Sequence, residues 1–260
     1  MKLLNGISNP LAHITCRDGN GLIGLGLNLP WSCKEDMGYF KEVTNKKVVI
    51  VGYNTFKSIL SMKKKPSVNL ENPILAGRIA VVISDPKRSL GLPIQNLNSC
   101  GITKLIHTHT KTDPVGADSV GVLNGFNVFV ESLEHAIHVI GLIHKSLLSN
   151  TNPSNDYGDW HVPLARPTAY VIGGSKLYAE SLENTYVSEI HETVLPVWCT
   201  QDPELTDVKY YYPEVDLTHY RIASVKVSRC RVTQPGKKDT LGDMKVSIYK
   251  RTLDISSMAL

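Results

Sequence analysis

The sequence predicts an α/β fold with a mostly parallel sheet, on the strength of three observations. Short β-branched apolar runs alternate with helical stretches, and continuous apolar strands are typical of a parallel sheet covered on both faces. The last two runs are joined by residues 234–238, a turn composition (Gln-Pro-Gly-Lys-Lys), so we expect an antiparallel hairpin at one edge. The predicted strands cover residues 12–16, 47–52, 78–84, 128–130, 169–174, 186–195, 220–233 and 245–251. The predicted helices cover residues 34–44, 55–60, 133–148 and 175–182.

Local composition supports each element in turn. Residues 47–52 (Lys-Val-Val-Ile-Val-Gly) and 78–84 (Arg-Ile-Ala-Val-Val-Ile-Ser) are apolar runs of strand length. The helix at 34–44 has Glu35 and Asp36 in its first turn, where negative charge is favourable. Three segments rich in Pro, Asn, Ser or Asp interrupt the pattern and are predicted as insertions into a single domain that spans residues 1–260; they lie at 61–75, 149–167 and 196–209.

Composition excludes several functional classes. Of the 260 residues, 42% are apolar and 20% are charged, which fits a soluble globular protein. The net charge of +4 is small and the basic residues are scattered, so we expect no nucleic-acid partner; the one tight basic run, at 63–65, is interpreted as a solvated loop. No apolar run reaches the roughly 18 residues of a membrane helix, and the first ten residues lack a signal pattern.

The cysteines and histidines suggest no metal site. The five cysteines are widely spaced and form no Cys-x-x-Cys pair, so neither a disulfide framework nor a zinc site is indicated. Free thiols fit a reducing compartment, and we expect a cytoplasmic protein. His107 and His109 alternate along an extended stretch, which leaves a shared metal ion as an alternative.

Asp36 is the most informative candidate for a functional side chain. Met37, Phe40 and Val43 follow it at one, four and seven residues and form one helix face, which Asp36 borders. A carboxylate directed into an apolar cleft costs several kcal/mol unless another group satisfies or uses it. Taken alone, the residue is better explained as an acid that bends out to water. The flanking elements reverse this preference.

Two strand ends carry glycine just before a helix. Gly52 precedes residues 53–59, and Gly173 and Gly174 precede a helix that starts at Ser175. Ligands of open α/β sheets bind at the carboxyl ends of strands, and a helix N-terminus offers free N–H groups to phosphate. The spacing differs from Gly-x-Gly-x-x-Gly, so a standard Rossmann site is unsupported.

The order and spacing of seven elements resemble the dihydrofolate reductase family from about residue 11 to residue 251. The elements are Ile23-Gly24, Leu29-Pro30-Trp31, Asp36-Met37 with Phe40, Gly52 with Thr55, Gly77-Arg78, Ile172-Gly173-Gly174 and Tyr211-Tyr212-Pro213-Glu214. The resemblance implies an eight-stranded, mainly parallel sheet with flanking helices and an antiparallel C-terminal edge. It also implies reduction of dihydrofolate to tetrahydrofolate by NADPH, and binding of antifolates. The insertions are similar to those of protozoan bifunctional enzymes, so a thymidylate synthase domain in a longer native chain is a further expectation.

The resemblance also assigns roles to single residues. Asp36 would pair with the pterin and promote protonation of N5, Thr193 would hold that carboxylate, and Trp31 would hold an ordered water. Arg78 would grip the glutamate α-carboxylate of the substrate, a task that suits its bidentate fork. The remaining substrate contacts would come from Ile14, Thr15, Cys16, Leu29, Met37, Phe40, Ser58, Ile59 and Ile172.

The implied cofactor site draws on the lid loop and the glycine turns. It would consist of Cys16, Ile23, Gly24, Gly52, Tyr53, Asn54, Thr55, Ile83, Ser84, Gly173, Gly174, Ser175, Lys176, Leu177 and Tyr178. Tyr53 and Asn54 stand where the family usually has a basic residue, which leaves the preference for NADPH over NADH open.

Two other functions remain open at this point. The pyrimidine reductase of riboflavin synthesis shares the fold and also reduces a heterocycle with NADPH. A nucleotide-binding module without turnover is the second alternative. The Leu-Pro-Trp loop followed by Asp36 argues against the first, and the set of Asp36, Trp31, Thr55 and Arg78 argues against the second.

Overall fold

The computed structural model describes residues 11–62, 75, 77–84, 126–149, 167–184, 186–199 and 207–252. The basic run 63–65, Cys100, His107, His109 and most of the first two predicted insertions lie outside these ranges. The elements in chain order are β1 (Leu11–Arg17), β2 (Leu22–Leu25), β3 (Ser32–Cys33), α1 (Lys34–Thr44), β4 (Val48–Gly52), α2 (Tyr53–Met62), β5 (Ile79–Ile83), β6 (Phe126–Val130), α3 (Leu133–Ser149), β7 (Ala169–Val171), α4 (Ser175–Glu183), β8 (Val187–Val194), β9 (Lys209–Tyr211), β10 (Tyr220–Thr233) and β11 (Thr240–Arg251).

The chain divides into two compact units. One comprises Leu11–Val43 and Val171–Leu260 and is called the Asp36 unit here. The other comprises Met1–Pro10 and Thr44–Tyr170 and is called the Arg78 unit.

In the Asp36 unit the strands pair in the order β3, β10, β11, β8, β1. β1 and β8 are parallel, whereas the contacts of β11 with β8, of β10 with β11 and of β3 with β10 are antiparallel. β3 pairs with β10 only through Val232 and Thr233, and the rest of that edge, residues 221–229, is exposed along most of its length. β2 and β9 form a separate antiparallel pair.

In the Arg78 unit the strand order is β7, β4, β5, β6, and β4 and β6 both run parallel to β5. Residues 48–51 of β4 and 79–82 of β5 are all buried, as expected for strands covered on both faces. Phe56 of α2 is fully buried and packs edge-to-face on Phe129 with ring centroids 5.6 Å apart.

The structure confirms the α/β class and the C-terminal hairpin. α1 and β10 have the predicted bounds, while β11 begins five residues earlier than predicted because Thr240 already pairs with Val232. The strand predicted at 169–174 ends at Val171, since the chain then enters a turn in which Gly173 has φ 137°. The sequence did not predict β2, β3 and β9, whose two to four residues are too few for a periodic pattern.

A buried polar network joins three segments of the Asp36 unit around His13. The His13 ring is fully buried; its Nδ1 lies 2.7 Å from the Tyr212 hydroxyl and its Nε2 lies 2.7 Å from Ser181 Oγ. Ser181 uses its own hydrogen on the carbonyl of Leu177, so Nε2 must carry the hydrogen and Nδ1 must accept from Tyr212. The network thus links β1 with α4 and with the segment after β9.

Asp18 organises the turn between β1 and β2. This carboxylate is fully buried, and Oδ1 accepts from the backbone N–H groups of Asn20 and Leu22 at 2.8 and 2.9 Å. Oδ2 accepts from the backbone N–H of Cys199 at 2.9 Å. Three backbone donors therefore compensate the burial of this charge.

His13 predicts a pH dependence of stability. Burial lowers the pKa of His13 from 6.5 to about 3, so the unfolded chain binds a proton that the folded chain rejects between these values. Between these values the free energy of unfolding should therefore decrease by about 1.4 kcal/mol for each unit by which the pH is lowered, from this residue alone. Urea titrations at several pH values between about 4 and 5.5 give the unfolding free energy as a function of pH. The slope of this plot should be smaller by that amount in His13→Gln than in the wild type. Near pH 8 the unfolding free energies of the wild type and His13→Gln should change with pH in the same way. Equal slopes for the two proteins in the acid range would contradict the assignment.

Candidate functional site

The register of β1 and β8 explains how three side chains meet at Asp36. Cys16 lies directly opposite Thr193 in this parallel pair, so the two side chains are neighbours on one face. Both are hydrogen-bonding partners of the Asp36 carboxylate, which lies in the first turn of α1. Burial raises the pKa of Asp36, and the Thr193 and Cys16 hydrogen bonds oppose this rise in part. The predicted contact between Asp36 and Thr193 is therefore present.

Trp31 completes the cluster from the loop before α1. Its side chain is buried and hydrogen-bonds to the Cys16 thiol. Because the indole N–H only donates, the Cys16 sulfur accepts, and its own S–H is free to donate to Asp36. Burial and the Asp36 charge raise the pKa of Cys16 well above its usual value, so the thiol remains protonated in this role.

The apolar face of α1 stays accessible. Met37 is 44% exposed and Leu29 is 40% exposed, while Phe40 and Val43 are partly buried. Thr44, the last residue of α1, is the one residue of this helix that is classed as buried. A partly buried carboxylate therefore borders an accessible apolar surface, an arrangement that suits a flat heterocycle with hydrogen-bond donors on one edge.

The turn before α4 offers unsatisfied backbone donors. Gly173 has φ 137°, a conformation that L side chains rarely adopt, and Gly174 is the N-cap of α4 with no side-chain hydrogen bond. The N–H groups of the first turn, where Ser175 and Lys176 lie, are thus open to an anion. Ile172, just before the turn, is partly buried.

Two residues predicted for the cofactor pack inside the Asp36 unit. Leu177 and Tyr178 are buried, and the Tyr178 hydroxyl donates to the Ile14 carbonyl at 2.7 Å. Thr15 is a further hydrogen-bonding partner of Tyr178. The Ile14 carbonyl therefore accepts a side-chain hydrogen bond from Tyr178. Ile23 and Gly24 lie in β2, which pairs with β9.

In the Arg78 unit, Gly52 ends β4 and Tyr53 starts α2, so Asn54 and Thr55 lie in its first turn. Ser58 and Ile59 follow one turn later and are partly buried. Ile83 ends β5, and Ser84 after it is 2% exposed, with its backbone N–H bonded to the Val130 carbonyl at 2.9 Å.

Arg78 is a buried cation of this unit. It is 8% exposed, and its Nε donates to Thr44 Oγ1 at 2.8 Å. Burial lowers the pKa of Arg78. Gly77 before it has φ 73°, and its carbonyl accepts from the backbone N–H of Lys46, which fixes the strand start.

Sequence reasoning missed a second contact from α1 to β8. The Tyr39 hydroxyl lies 2.6 Å from Nδ1 of His191. The spacing held a signal for this contact: Tyr39 follows Asp36 by three residues, and His191 precedes Thr193 by two, so each pair shares a face of its element.

Two further kinds of site are absent from the described residues. These ranges contain no group of three or more His, Cys, Asp or Glu side chains that could hold a metal ion. Within the same ranges, every helix is too short or too polar to cross a membrane.

The fold and the site define an α/β protein in which a partly buried carboxylate and a glycine-led helix N-terminus occur together. A family model described as dihydrofolate reductase matches residues 10–165. This match covers more than half of the chain, so the chain belongs to the dihydrofolate reductase family, a family of oxidoreductases. Thr193 and the turn at Gly173 lie beyond the matched residues.

Individual relatives carry the same description. Dihydrofolate reductase type A10 of Escherichia coli is 27% identical over 144 residues, which is 52% of this chain and 70% of the relative. Dihydrofolate reductase of Pneumocystis carinii is 28% identical over 120 residues, 44% of this chain and 57% of the relative. The bifunctional dihydrofolate reductase-thymidylate synthase of Paramecium tetraurelia is 42% identical over 57 residues, 22% of this chain and 12% of the relative.

Among solved structures, dihydrofolate reductase from Enterococcus faecalis complexed with NADP(H) and RAB-propyl is similar with a TM-score of 0.49 and 15% identity, covering 94% of this chain and 98% of the other.

Replacing Thr193, a hydrogen-bonding partner of Asp36, should change the pKa of the Asp36 carboxyl group. In Thr193→Val the hydrogen bond that favours the charged carboxylate is lost while burial remains, so the pKa of Asp36 should rise further above its usual value. Thr193→Ser keeps a hydroxyl and should leave the pKa close to that of the wild type. Carbon-13 NMR titration of the aspartate carboxyl groups measures both, and an unchanged pKa in Thr193→Val would contradict the contact.

Proposed function

We propose that this chain catalyses the NADPH-dependent reduction of 7,8-dihydrofolate to 5,6,7,8-tetrahydrofolate, by hydride transfer to C6 and protonation of N5, and so supports one-carbon metabolism and thymidylate synthesis. The observation that carries the proposal is the Asp36 carboxylate, held by Thr193 and Cys16 beside the accessible apolar face of α1. Membership of the dihydrofolate reductase family supports it independently.

Asp36 would hold the substrate and favour its protonation. Dihydropterin N5 is a weak base, so the reaction needs an acid system in surroundings that exclude water. The pterin N3 and 2-amino group are donors that match the two oxygens of a carboxylate. Asp36 would raise the basicity of N5 by this pairing, and a water held near Trp31 would deliver the proton.

NADPH would bind at the turn that begins α4, and the backbone of this turn supports that part of the proposal. Gly173 and Gly174 leave the backbone open, and the first-turn N–H groups at Ser175 and Lys176 have no capping side chain. Backbone donors of this kind suit a pyrophosphate. When bound, NADPH would supply the hydride, and Cys16 would line the wall beside the nicotinamide. In the Arg78 unit, the start of α2 after Gly52 is a second helix N-terminus suited to phosphate.

Arg78 would bind the glutamate tail of dihydrofolate. Thr44 accepts a hydrogen bond from Nε of Arg78 and so helps to position the guanidinium. The planar fork of a guanidinium matches the geometry of a carboxylate. Partial desolvation, which lowers the pKa of Arg78, also strengthens its attraction for a carboxylate.

A direct assay separates this function from the two alternatives. Loss of the NADPH absorbance band on addition of dihydrofolate, inhibited by a methotrexate-type antifolate, is the expected result. Turnover of a riboflavin-pathway pyrimidine without turnover of dihydrofolate would instead identify the pyrimidine reductase. NADPH binding without turnover of either would identify a binding module.

The proposed cellular setting is the cytoplasm. Among the described residues, Cys16, Cys33, Cys199 and Cys230 carry thiols rather than disulfides, which is in keeping with a reducing compartment such as the cytoplasm. The 57-residue segment shared with the Paramecium enzyme supports the hypothesis of a thymidylate synthase partner domain.

Asp36→Asn should abolish most of the turnover and spare cofactor binding. The amide keeps the size of the side chain but loses the charge that pairs with the pterin, so the barrier should rise by about 4 kcal/mol, roughly a thousand-fold in rate at neutral pH. Steady-state kinetics and NADPH fluorescence titration measure the two effects. Glu35→Gln, one residue away and exposed, is the matched control and should keep wild-type turnover. Wild-type rates in Asp36→Asn would defeat the assignment.

Arg78→Leu should weaken dihydrofolate binding by roughly 2–3 kcal/mol, the value of a lost charged hydrogen-bonded pair. A pterin that lacks the glutamate tail should bind the variant and the wild type nearly equally. Equilibrium titrations with both ligands test this, because equal losses for both would point to a general disturbance of the fold.

A further inference from the structure

A hydrogen-bonded chain of three side chains connects α1 to β8. The Tyr39 hydroxyl lies 2.6 Å from Nδ1 of His191, and Nε2 of His191 lies 2.5 Å from Oε1 of Glu189. The Tyr39 and His191 rings are tilted by 36° with centroids 6.0 Å apart. His191 is 6% exposed, so its bonds are shielded from water.

The chemistry of Glu189 sets the direction of these bonds. A carboxylate only accepts, so Nε2 of His191 carries the hydrogen that Glu189 receives. In the neutral ring Nδ1 is then an acceptor, and the Tyr39 hydroxyl donates to it. The second oxygen of Glu189 lies 3.6 Å from Nζ of Lys250, which helps to fix the carboxylate on β8.

These hydrogen bonds of Tyr39, His191 and Glu189 lie next to the contact between Asp36 and Thr193. Tyr39 follows Asp36 by three residues, so both side chains emerge on neighbouring positions of one helix face. Glu189, His191 and Thr193 alternate along β8, so all three lie on the same face of that strand. The register of β8 with β1 is regular from residue 189 to residue 194, so no bulge interrupts this alternation.

We propose that Tyr39 and His191 are positioning residues that hold α1 on β8 and thereby fix the orientation of the Asp36 carboxylate. One side-chain contact fixes a point on a helix but leaves the helix free to pivot about it. A second contact one turn away removes that freedom. The consequence matters for catalysis because a displacement of about 1 Å can cost as much as a hundred-fold in rate.

The proposal deepens the proposed function, and the variant Tyr39→Phe tests it. Phenylalanine keeps the ring packing and removes only the hydroxyl. We expect kcat for dihydrofolate to fall roughly ten-fold, while the Kd for NADPH stays unchanged. A helix that pivots would also expose Asp36 to water, so its carbon-13 titration should show a lower pKa than in the wild type.

Tyr249→Phe is the matched control. Tyr249 also donates a phenolic hydrogen bond to β8, to Oε2 of Glu192 at 3.2 Å. Glu192 lies on the opposite face of the strand from His191. This variant should keep the wild-type kcat and the wild-type titration of Asp36. His191→Gln, which keeps a polar partner for Tyr39, should retain more activity than His191→Leu.

The outcomes separate this proposal from the proposed function. If wild-type protein does not reduce dihydrofolate, the proposed function fails, while the titration of Asp36 in Tyr39→Phe still tests the positioning role. If Tyr39→Phe only lowers the melting temperature and keeps both kcat and the Asp36 titration, the role is structural and the proposal is overturned. Equal effects of Tyr39→Phe and Tyr249→Phe would also overturn it.

Discussion

The burial of one carboxylate is the constraint around which the site is built. Asp36 loses hydration when α1 packs on the sheet, and an unsatisfied charge there would cost several kcal/mol. Thr193 and Cys16 meet this cost with hydrogen bonds because the parallel register of β1 and β8 places them side by side. Trp31 directs its N–H at the Cys16 sulfur, so the thiol hydrogen is left for the carboxylate.

The compensation is incomplete, and this has a chemical meaning. The pKa of Asp36 stays above its usual value even with two hydrogen-bond donors, so the carboxylate would gain from a further donor. A ligand edge with two N–H groups is such a donor. The part of the desolvation cost of Asp36 that remains uncompensated is thus a source of binding energy for a pterin. Groups with shifted pKa values are common at functional sites.

Much of the fold follows from local sequence, and the limits are physical. α1 and β10 have the bounds that their patterns predict, because each is long enough for composition to fix its ends. β3 spans two residues and exists through its pairing with Val232 and Thr233, a partner about two hundred residues away that no local pattern reveals.

The site shows the same division. Asp36 could be nominated from its place on an apolar helix face, and Thr193 needed a family resemblance. The role of Cys16 between Trp31 and Asp36 was not foreseen, since it depends on register across β1 and β8. The His13 network was missed because its three members, His13, Ser181 and Tyr212, come from separate segments.

The hairpin of β10 and β11 leaves one long strand at the margin of its sheet. Among the described residues, β3 covers only the last two positions of that strand, so the backbone from 221 to 229 presents an open ladder. Open ladders recruit strands from other molecules. Arg221, Lys226 and Arg229 place cations along this margin. Arg229 is paired with Asp243 at 3.4 Å. Charged side chains on an edge strand are a common device that disfavours its pairing with another chain.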